Sequence, residues 1–178
     1  MHASARVLAV FTIVVFTGVD AAHACGDKFV VFGRGVRFKT AYAAARPASV
    51  LLFVKSDSSL SQAEREFRLQ STLKEVGHKP VIVESPAELE KAMREKPYDI
   101  VLAPASDVAT VEKARTAAGA TSSIIPALYK PTPEATKDAR RSYGCLLKVS
   151  KKNHDLLLVI DEVMRDRSKG AKDRCAKL

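Results

Sequence analysis

The chain has 178 residues, of which 29 are Lys or Arg and 20 are Asp or Glu, so its formal net charge is +9 at pH 7. This length fits a single domain with one hydrophobic core. The basic residues are spread along the chain without interleaved aromatic residues, which argues against a nucleic-acid-binding patch, and no apolar run reaches the ~20 residues of a membrane-spanning helix.

Residues 1–24 have the features of a secretory signal peptide. Arg6 supplies a positive charge, residues 7–19 form an apolar run, and Ala22 and Ala24 are the small residues that precede a cleavage site. We therefore predict that residues 1–24 are removed and that the protein is periplasmic or secreted. Cleavage removes one basic and one acidic residue, so the net charge stays at +9.

Residues 25–48 are predicted to be an N-terminal extension of the main domain. Cys25 would begin the processed chain, and lipid attachment to it is an alternative to a disulfide, although Ala22 is smaller than the aliphatic residue that such sites favour. The sequence GRG at residues 33–35 resembles a fragment of a phosphate-binding loop but lacks the third glycine of the full motif, so we interpret it as a turn.

From residue 49 onward, short apolar runs alternate with amphipathic segments. The apolar runs predict β-strands at residues 49–54, 80–84, 98–104, 122–129 and 145–149. Apolar residues at helical spacing predict helices at residues 61–76, 85–95, 107–118, 132–143 and 151–167. Three of these helices begin with a side chain that can cap free backbone N–H groups, namely Ser61, Ser85 and Thr132.

Strands that alternate with helices predict right-handed βαβ units, and therefore a parallel sheet with helices on both faces. Ligands of such sheets bind beyond the carboxyl ends of the strands. Pro126 is unusual in the predicted fourth strand because it has no N–H group for the ladder. Residues 168–178, after the last helix, are predicted to form a basic, flexible tail.

The cysteines and histidines show no metal-binding spacing. Cys25, Cys145 and Cys175 do not match a zinc motif. Because export favours disulfides, we predict a bond between Cys25 and Cys145; the alternative is that Cys145 is a free, buried thiol. His78 and His154 are interpreted as exposed polar residues, since neither has a second ligand at a suitable spacing.

Two short stretches, DIVLAP at residues 99–104 and GCLLKV at residues 144–149, stand in the third and fifth predicted strands. With the order of the elements, they resemble the receiver domains of bacterial response regulators. The resemblance covers residues 49–167. It implies an α/β, flavodoxin-like three-layer sandwich with a five-stranded parallel sheet in the order 2-1-3-4-5.

Receivers carry their chemistry at the strand ends, and most of those positions are altered in this chain. The acidic pair that holds a divalent metal falls on Lys55 and Ser56, and the phosphoryl acceptor falls on Pro104. The hydroxyl position falls near Tyr129, and only Lys148 matches. Because phosphoryl transfer to a carboxylate needs that carboxylate and a metal, the resemblance implies a degenerate receiver that is not an enzyme and uses no cofactor.

Two acidic residues near the altered positions suggest a displaced site. Asp57 follows the first predicted strand and Asp107 follows the third, so both could lie near Lys148. Asp57 also suits a solvated loop, and Asp107 also suits a helix start. We expect Lys148 to pair with one of these acids. The candidate ligand-binding residues are Ser56, Asp57, Asp107, Tyr129 and Lys148.

The resemblance also implies a partner surface, because receivers bind partners through their fourth helix, fifth strand and fifth helix. Arg140 and Arg141 make the corresponding surface basic, which favours an acidic protein partner. The function predicted from the sequence is therefore an exported, non-catalytic interaction module. The alternative is a small-ligand or metal-binding, phosphoryl-responsive module that uses Asp57 and Asp107.

Overall fold

A computed structural model describes residues 43–149, 154–171 and 175. The predictions for the signal peptide, the lipid-attachment site and the GRG turn lie outside these residues. The strands in the described part are β1 Ser49–Phe53, β2 Lys79–Val83, β3 Ile100–Pro104, β4 Ser123–Tyr129 and β5 Leu147–Val149. The helices there are α1 Ser59–Phe67, α2 Leu69–Glu75, α3 Pro86–Glu95, α4 Val108–Ala117, α5 Pro133–Ser142 and α6 His154–Ser168, and a one-turn 3-10 helix, Ala105–Asp107, precedes α4.

The five strands form one parallel sheet in the order β2-β1-β3-β4-β5. This is the predicted order, and with helices on both faces it is a flavodoxin-like α/β fold. The order places β1 and β3 at the centre, which explains why their residues are almost all buried.

The central strands divide their side chains between two cores, as the period-2 geometry of a strand requires. Val50 and Leu52 of β1 pack on one face with residues of α1, α2 and α6. Leu51 and Phe53 pack on the other face with residues of α3 and α4. On the first face, α1 packs against β3 and β4, whereas α2 packs against β2.

The helix predicted at residues 61–76 is divided into α1 and α2. The break is at Arg68, which has a left-handed backbone conformation with φ of 52°. The carboxylate of Glu64 accepts a hydrogen bond from the backbone N–H of Gln70 at 3.1 Å, so it caps the first turn of α2. The N-cap of α1 is Ser58, whose Oγ accepts from the N–H of Ser61 at 3.1 Å; the prediction that Ser61 is the N-cap was wrong.

The predicted starts of α3 and α5 are confirmed. Ser85 Oγ accepts from the N–H of Glu88 at 3.2 Å, and Glu88 accepts in return from the N–H of Glu84 at 2.8 Å. Thr132 Oγ1 accepts from the N–H of Ala135 at 3.1 Å. These caps satisfy backbone donors that have no partner inside the helix.

Strand β5 is shorter than predicted, and it pairs only with the part of β4 that follows Pro126. Pro126 lies opposite Ala103 of β3, and the ladder between β4 and β5 begins at Ala127. The proline therefore precedes the part of β4 that pairs with β5, which explains how an interior strand accommodates it.

The disulfide joins Cys145 to Cys175, so the predicted bond between Cys25 and Cys145 was wrong, as was the alternative of a free Cys145 thiol. Cys175 is 3% exposed and belongs to the core on the α6 side of the sheet. Its position also differs from the prediction of a flexible tail at residues 168–178, because at residue 175 the chain is bonded to the segment before β5. Cysteine pairing depends on how the chain returns to the sheet after α6, which the sequence pattern does not specify.

Candidate functional site

The carboxyl ends of the strands bring together most of the predicted site positions. Lys55, Ser56 and Asp57 follow β1, and Asp107 lies in the 3-10 helix after β3. Tyr129 ends β4 and Lys148 lies in β5, with Lys148 opposite Leu128 in the ladder. This is the edge where a parallel α/β sheet binds ligands.

An ion pair joins the ends of β1 and β3. Lys55 Nζ donates to Asp107 Oδ1 at 3.0 Å, and the Asp107 side chain is 15% exposed. Lys148 was expected to pair with Asp57 or Asp107, but Asp107 pairs with Lys55, and Lys148 forms no ion pair with either acid. The resemblance to receivers aligns Lys55 with an acidic residue that binds the metal. Lys55 instead has an ammonium group, and this group is paired with Asp107.

The other predicted residues of the loop after β1 face solvent. Ser56 and Asp57 are both exposed. The backbone carbonyl of Ser56 accepts a hydrogen bond from Ser61 Oγ at 2.8 Å, so this residue helps to start α1. Within residues 43–149, 154–171 and 175, no three His, Cys, Asp or Glu side chains converge in a way that could hold a metal ion.

Tyr129 takes part in a polar network with α1. Its hydroxyl donates to Glu66, and Lys130 Nζ donates to the same carboxylate at 2.9 Å. The Tyr129 ring also contacts Phe67 edge-on, with ring centres 5.9 Å apart. Hydrogen bonds to Tyr129 and Glu66 raise the pKa of the Lys130 ammonium, which is therefore charged at neutral pH.

An open groove of about 760 Å³ lies beside this network. We call it the strand-end groove; it is lined by Glu66 and Phe67 of α1, Lys130 and Pro131 after β4, Pro133 and Thr136 of α5, and Lys148 and Val149 of β5. Its walls thus come from α1, the segment after β4, α5 and the end of β5. Lys130 has a left-handed backbone with φ of 46°, which is unfavourable for a residue with a Cβ atom.

The predicted partner surface is exposed. Arg140 and Arg141 lie in the last turn of α5, and Arg141 pairs loosely with Asp138 at 3.8 Å. On α6, the large apolar side chain of Leu158 is 44% exposed, unlike the other large apolar side chains that the structure describes. The elements of this predicted surface thus carry two exposed arginines on α5 and one exposed large apolar side chain on α6.

Sequence reasoning missed two sites away from this edge. At the amino ends of β1 and β3, Asp99 Oδ2 accepts from both the N–H and the Oγ of Ser49, at 2.8 and 2.7 Å. Nearby, Arg167 donates to the carbonyl of Thr121 at 2.7 Å and ties the end of α6 to the segment before β4. Asp99, Thr121 and Arg167 line a second depression of about 470 Å³, but their hydrogen bonds join elements of the fold and indicate a structural role.

His78 is buried, so its interpretation as an exposed loop residue was wrong. Its side chain is 4% exposed, and Nδ1 accepts a hydrogen bond from the N–H of Ala48 at 3.1 Å. Burial lowers the pKa of His78, and the nearby carboxylate of Asp161 partly opposes that effect. Gly77 beside it suggested a loop, and nothing in the local sequence indicated that Ala48 would pack against the imidazole.

Comparison with known proteins assigns no family to this chain. No family model, curated protein or solved structure matches it. Among the described residues, no helix has the length and apolar character that crossing a membrane requires.

Proposed function

We propose that the protein is an exported, non-catalytic binding module with a receiver-like scaffold, and that it recognises an acidic protein partner. The observation that carries this proposal is the 3.0 Å ion pair between Lys55 and Asp107. Phosphoryl transfer needs a free carboxylate and a divalent metal that offsets the crowded negative charge. Here a lysine neutralises the acid, and its positive charge would repel a metal at the same place.

The choice of an acidic partner follows from the surface formed by α5, β5 and α6. Arg140, Arg141 and Lys148 are exposed there, and Leu158 adds apolar area. Interfaces commonly combine an apolar contact with charges that steer the partner and fix its orientation. A partner with carboxylates around an apolar patch would complement this surface.

Export is supported by two independent features. Residues 1–24 match a secretory signal peptide. The bond between Cys145 and Cys175 is typical of proteins that fold in an oxidising compartment. Fractionation of expressing cells, with the N-terminus of the processed protein determined, tests this part of the proposal.

Site-specific photo-cross-linking tests the proposed surface. A photoreactive amino acid replaces Arg141 in one variant and Lys113, an exposed lysine of α4, in a matched control. We expect a defined protein to cross-link at position 141 and not at position 113, and Arg140→Glu to reduce the product because like charges then meet at the interface. Equal labelling at both positions, or labelling that ignores Arg140→Glu, would contradict the proposal.

The alternative is a metal-binding, phosphoryl-responsive module that uses Asp57 and Asp107. It requires a metal ion to replace Lys55 as the partner of Asp107. The ion pair between these two side chains, at 3.0 Å, would have to break first. A titration with magnesium and beryllofluoride, followed by NMR, distinguishes the two functions. Shifts around Asp57, Asp107 and Lys148 would support the alternative, whereas unchanged spectra would eliminate it.

A further inference from the structure

The strand-end groove contains a positive charge that the described part of the chain does not neutralise. Glu66 already accepts from Tyr129 and Lys130. Lys148 is exposed and has no ion-pair partner among the described residues. The groove therefore favours an anionic group near Lys148.

The remaining walls of the groove suit an apolar contact. Phe67, Pro131 and Pro133 supply aromatic and ring carbon surface. Phe67 is held by its edge-on contact with Tyr129, and the two prolines have restricted backbones. Rigid walls lower the entropy that is lost on binding. The left-handed backbone at Lys130 adds a strained residue at this position, as is common at ligand-binding sites.

A second positive charge, that of Arg140, lies further along α5 from the groove. Pro133, Thr136 and Arg140 are spaced by three and four residues, so they follow one stripe of the helix. The stripe from Pro133 to Arg140 is about 10 Å long at the rise of an α-helix. Arg140 does not line the groove and lies one helical turn beyond Thr136, which does, so a ligand that uses both the groove and Arg140 has to be an extended chain of several residues.

We propose that the strand-end groove binds an extended acidic segment of the protein partner. One carboxylate pairs with Lys148, an apolar side chain rests on Phe67 and the prolines, and a second carboxylate reaches Arg140. This inference deepens the proposed function and rests on it, because it assigns the part of the partner that enters this site.

A short peptide tests the inference directly. The probe is a capped seven-residue peptide in which glutamate alternates with valine, and the matched control replaces each glutamate with lysine. NMR spectra of the oxidised protein are recorded during titration with each peptide. We expect the glutamate peptide to shift the amide signals of Lys130, Thr136 and Lys148, and the lysine peptide to leave them unchanged.

Charge-reversal variants identify the residue that binds. Lys148→Glu is expected to lower the affinity for the glutamate peptide by about tenfold or more, because the local charge is inverted. For the same reason the variant should bind the lysine peptide. Lys113→Glu, the same change at an exposed position of α4, should leave the affinity for both peptides unchanged. Circular dichroism melting of each variant checks that the fold is retained.

The outcomes separate this inference from the proposed function. No shift at the groove, or equal binding by wild type and Lys148→Glu, overturns the groove as the site. If cross-linking at position 141 still depends on Arg140, the partner surface stands without the groove. If the peptide binds the groove but no partner cross-links, the groove is a site for acidic chains and the proposed surface is wrong. A preference for free glutamate over the peptide would assign the groove to a small anion and overturn the inference.

Discussion

The ion pair between Lys55 and Asp107 joins the loop after β1 to the 3-10 helix after β3. Asp107 is 15% exposed and Lys55 is 45% exposed, so the pair is only partly shielded from water. Ion pairs that are this exposed contribute about 1 kcal/mol or less to the free energy of unfolding. Its main effect is therefore on the chemistry of the strand ends, where it removes a free carboxylate.

A double-mutant cycle measures this pair. We expect Lys55→Met and Asp107→Asn each to reduce the free energy of unfolding, with a coupling energy of about 0.5–1 kcal/mol because the pair is partly buried. Urea unfolding provides the measurement. The matched control is the pair of Lys91 and Glu95, which is 3.8 Å apart with side chains 76% and 63% exposed, and whose coupling should be near zero. Additive single effects at Lys55 and Asp107 would show that the contact does not stabilise the protein.

His78 links stability to pH. Its pKa in the folded protein is lowered from the usual 6.5, chiefly by burial. The unfolded chain therefore binds more protons than the folded chain as the pH falls through 6.5 towards the lowered pKa. The contribution of neutral His78 to the free energy of unfolding is therefore fully present above about pH 6.5 and is lost on acidification. Protonation at Nδ1 would also remove the acceptor for the N–H of Ala48.

His78→Asn separates this effect from other titrations. The Asn side-chain oxygen can take the place of Nδ1 as acceptor, but it does not titrate. We expect the free energy of unfolding of the wild type to fall between about pH 7.5 and pH 5 by more than that of the variant. Urea unfolding at several pH values tests this, with His154→Asn, a change at an exposed residue at the start of α6, as the control. Equal losses in wild type and His78→Asn would exclude His78 as the cause.

The break between α1 and α2 shows which helix features depend on local sequence. Ser85 and Thr132 precede prolines, and both are caps in the structure as predicted. Arg68 gives no comparable signal, because its left-handed backbone follows from contacts of α1 and α2 with different strands. Caps are local and could be predicted, whereas the break depends on tertiary packing.

Glu64 stabilises that break, and its removal should weaken α2. The carboxylate accepts from the N–H of Gln70, a donor with no partner inside the helix. We expect Glu64→Ala to lower the free energy of unfolding by about 1 kcal/mol, as loss of an N-cap does. The same change should speed amide hydrogen exchange at Gln70. Glu64→Gln keeps an acceptor oxygen and should lose less. Glu75→Ala, at the exposed end of α2, is the control. Unchanged exchange at Gln70 in Glu64→Ala would contradict this role.

For the whole molecule, the alternation of apolar and amphipathic segments was sufficient to predict a parallel sheet with helices on both faces, whereas the order of its strands was predicted from the resemblance to receivers. Side-chain encounters between distant elements were not predictable in the same way. Glu66 of α1 meets Lys130 after β4, 64 positions along the chain, and the groove beside them has no counterpart in any local pattern. The strand ends were therefore located correctly, while their pairings required the folded chain.

The disulfide covalently joins the segment before β5 to the part of the chain that follows α6. It closes a segment with a sequence separation of 30 that includes β5 and α6. In the chain-entropy description, a crosslink over such a segment stabilises the folded state by about 3–4 kcal/mol. Because Cys175 is also buried beside α6 residues, reduction should loosen the packing of that helix on the sheet.

We therefore expect reductant to lower the melting temperature of the wild type clearly. Cys175→Ala should melt near the temperature of the reduced wild type and should not respond to reductant, since Cys145 then lacks the cysteine to which it is bonded in the wild type. Cys25→Ala serves as the control and should keep the full response, because Cys145 is bonded to Cys175. Calorimetry with and without reductant gives these values. Loss of the response in Cys25→Ala, with the response retained in Cys175→Ala, would instead place the bond between Cys25 and Cys145.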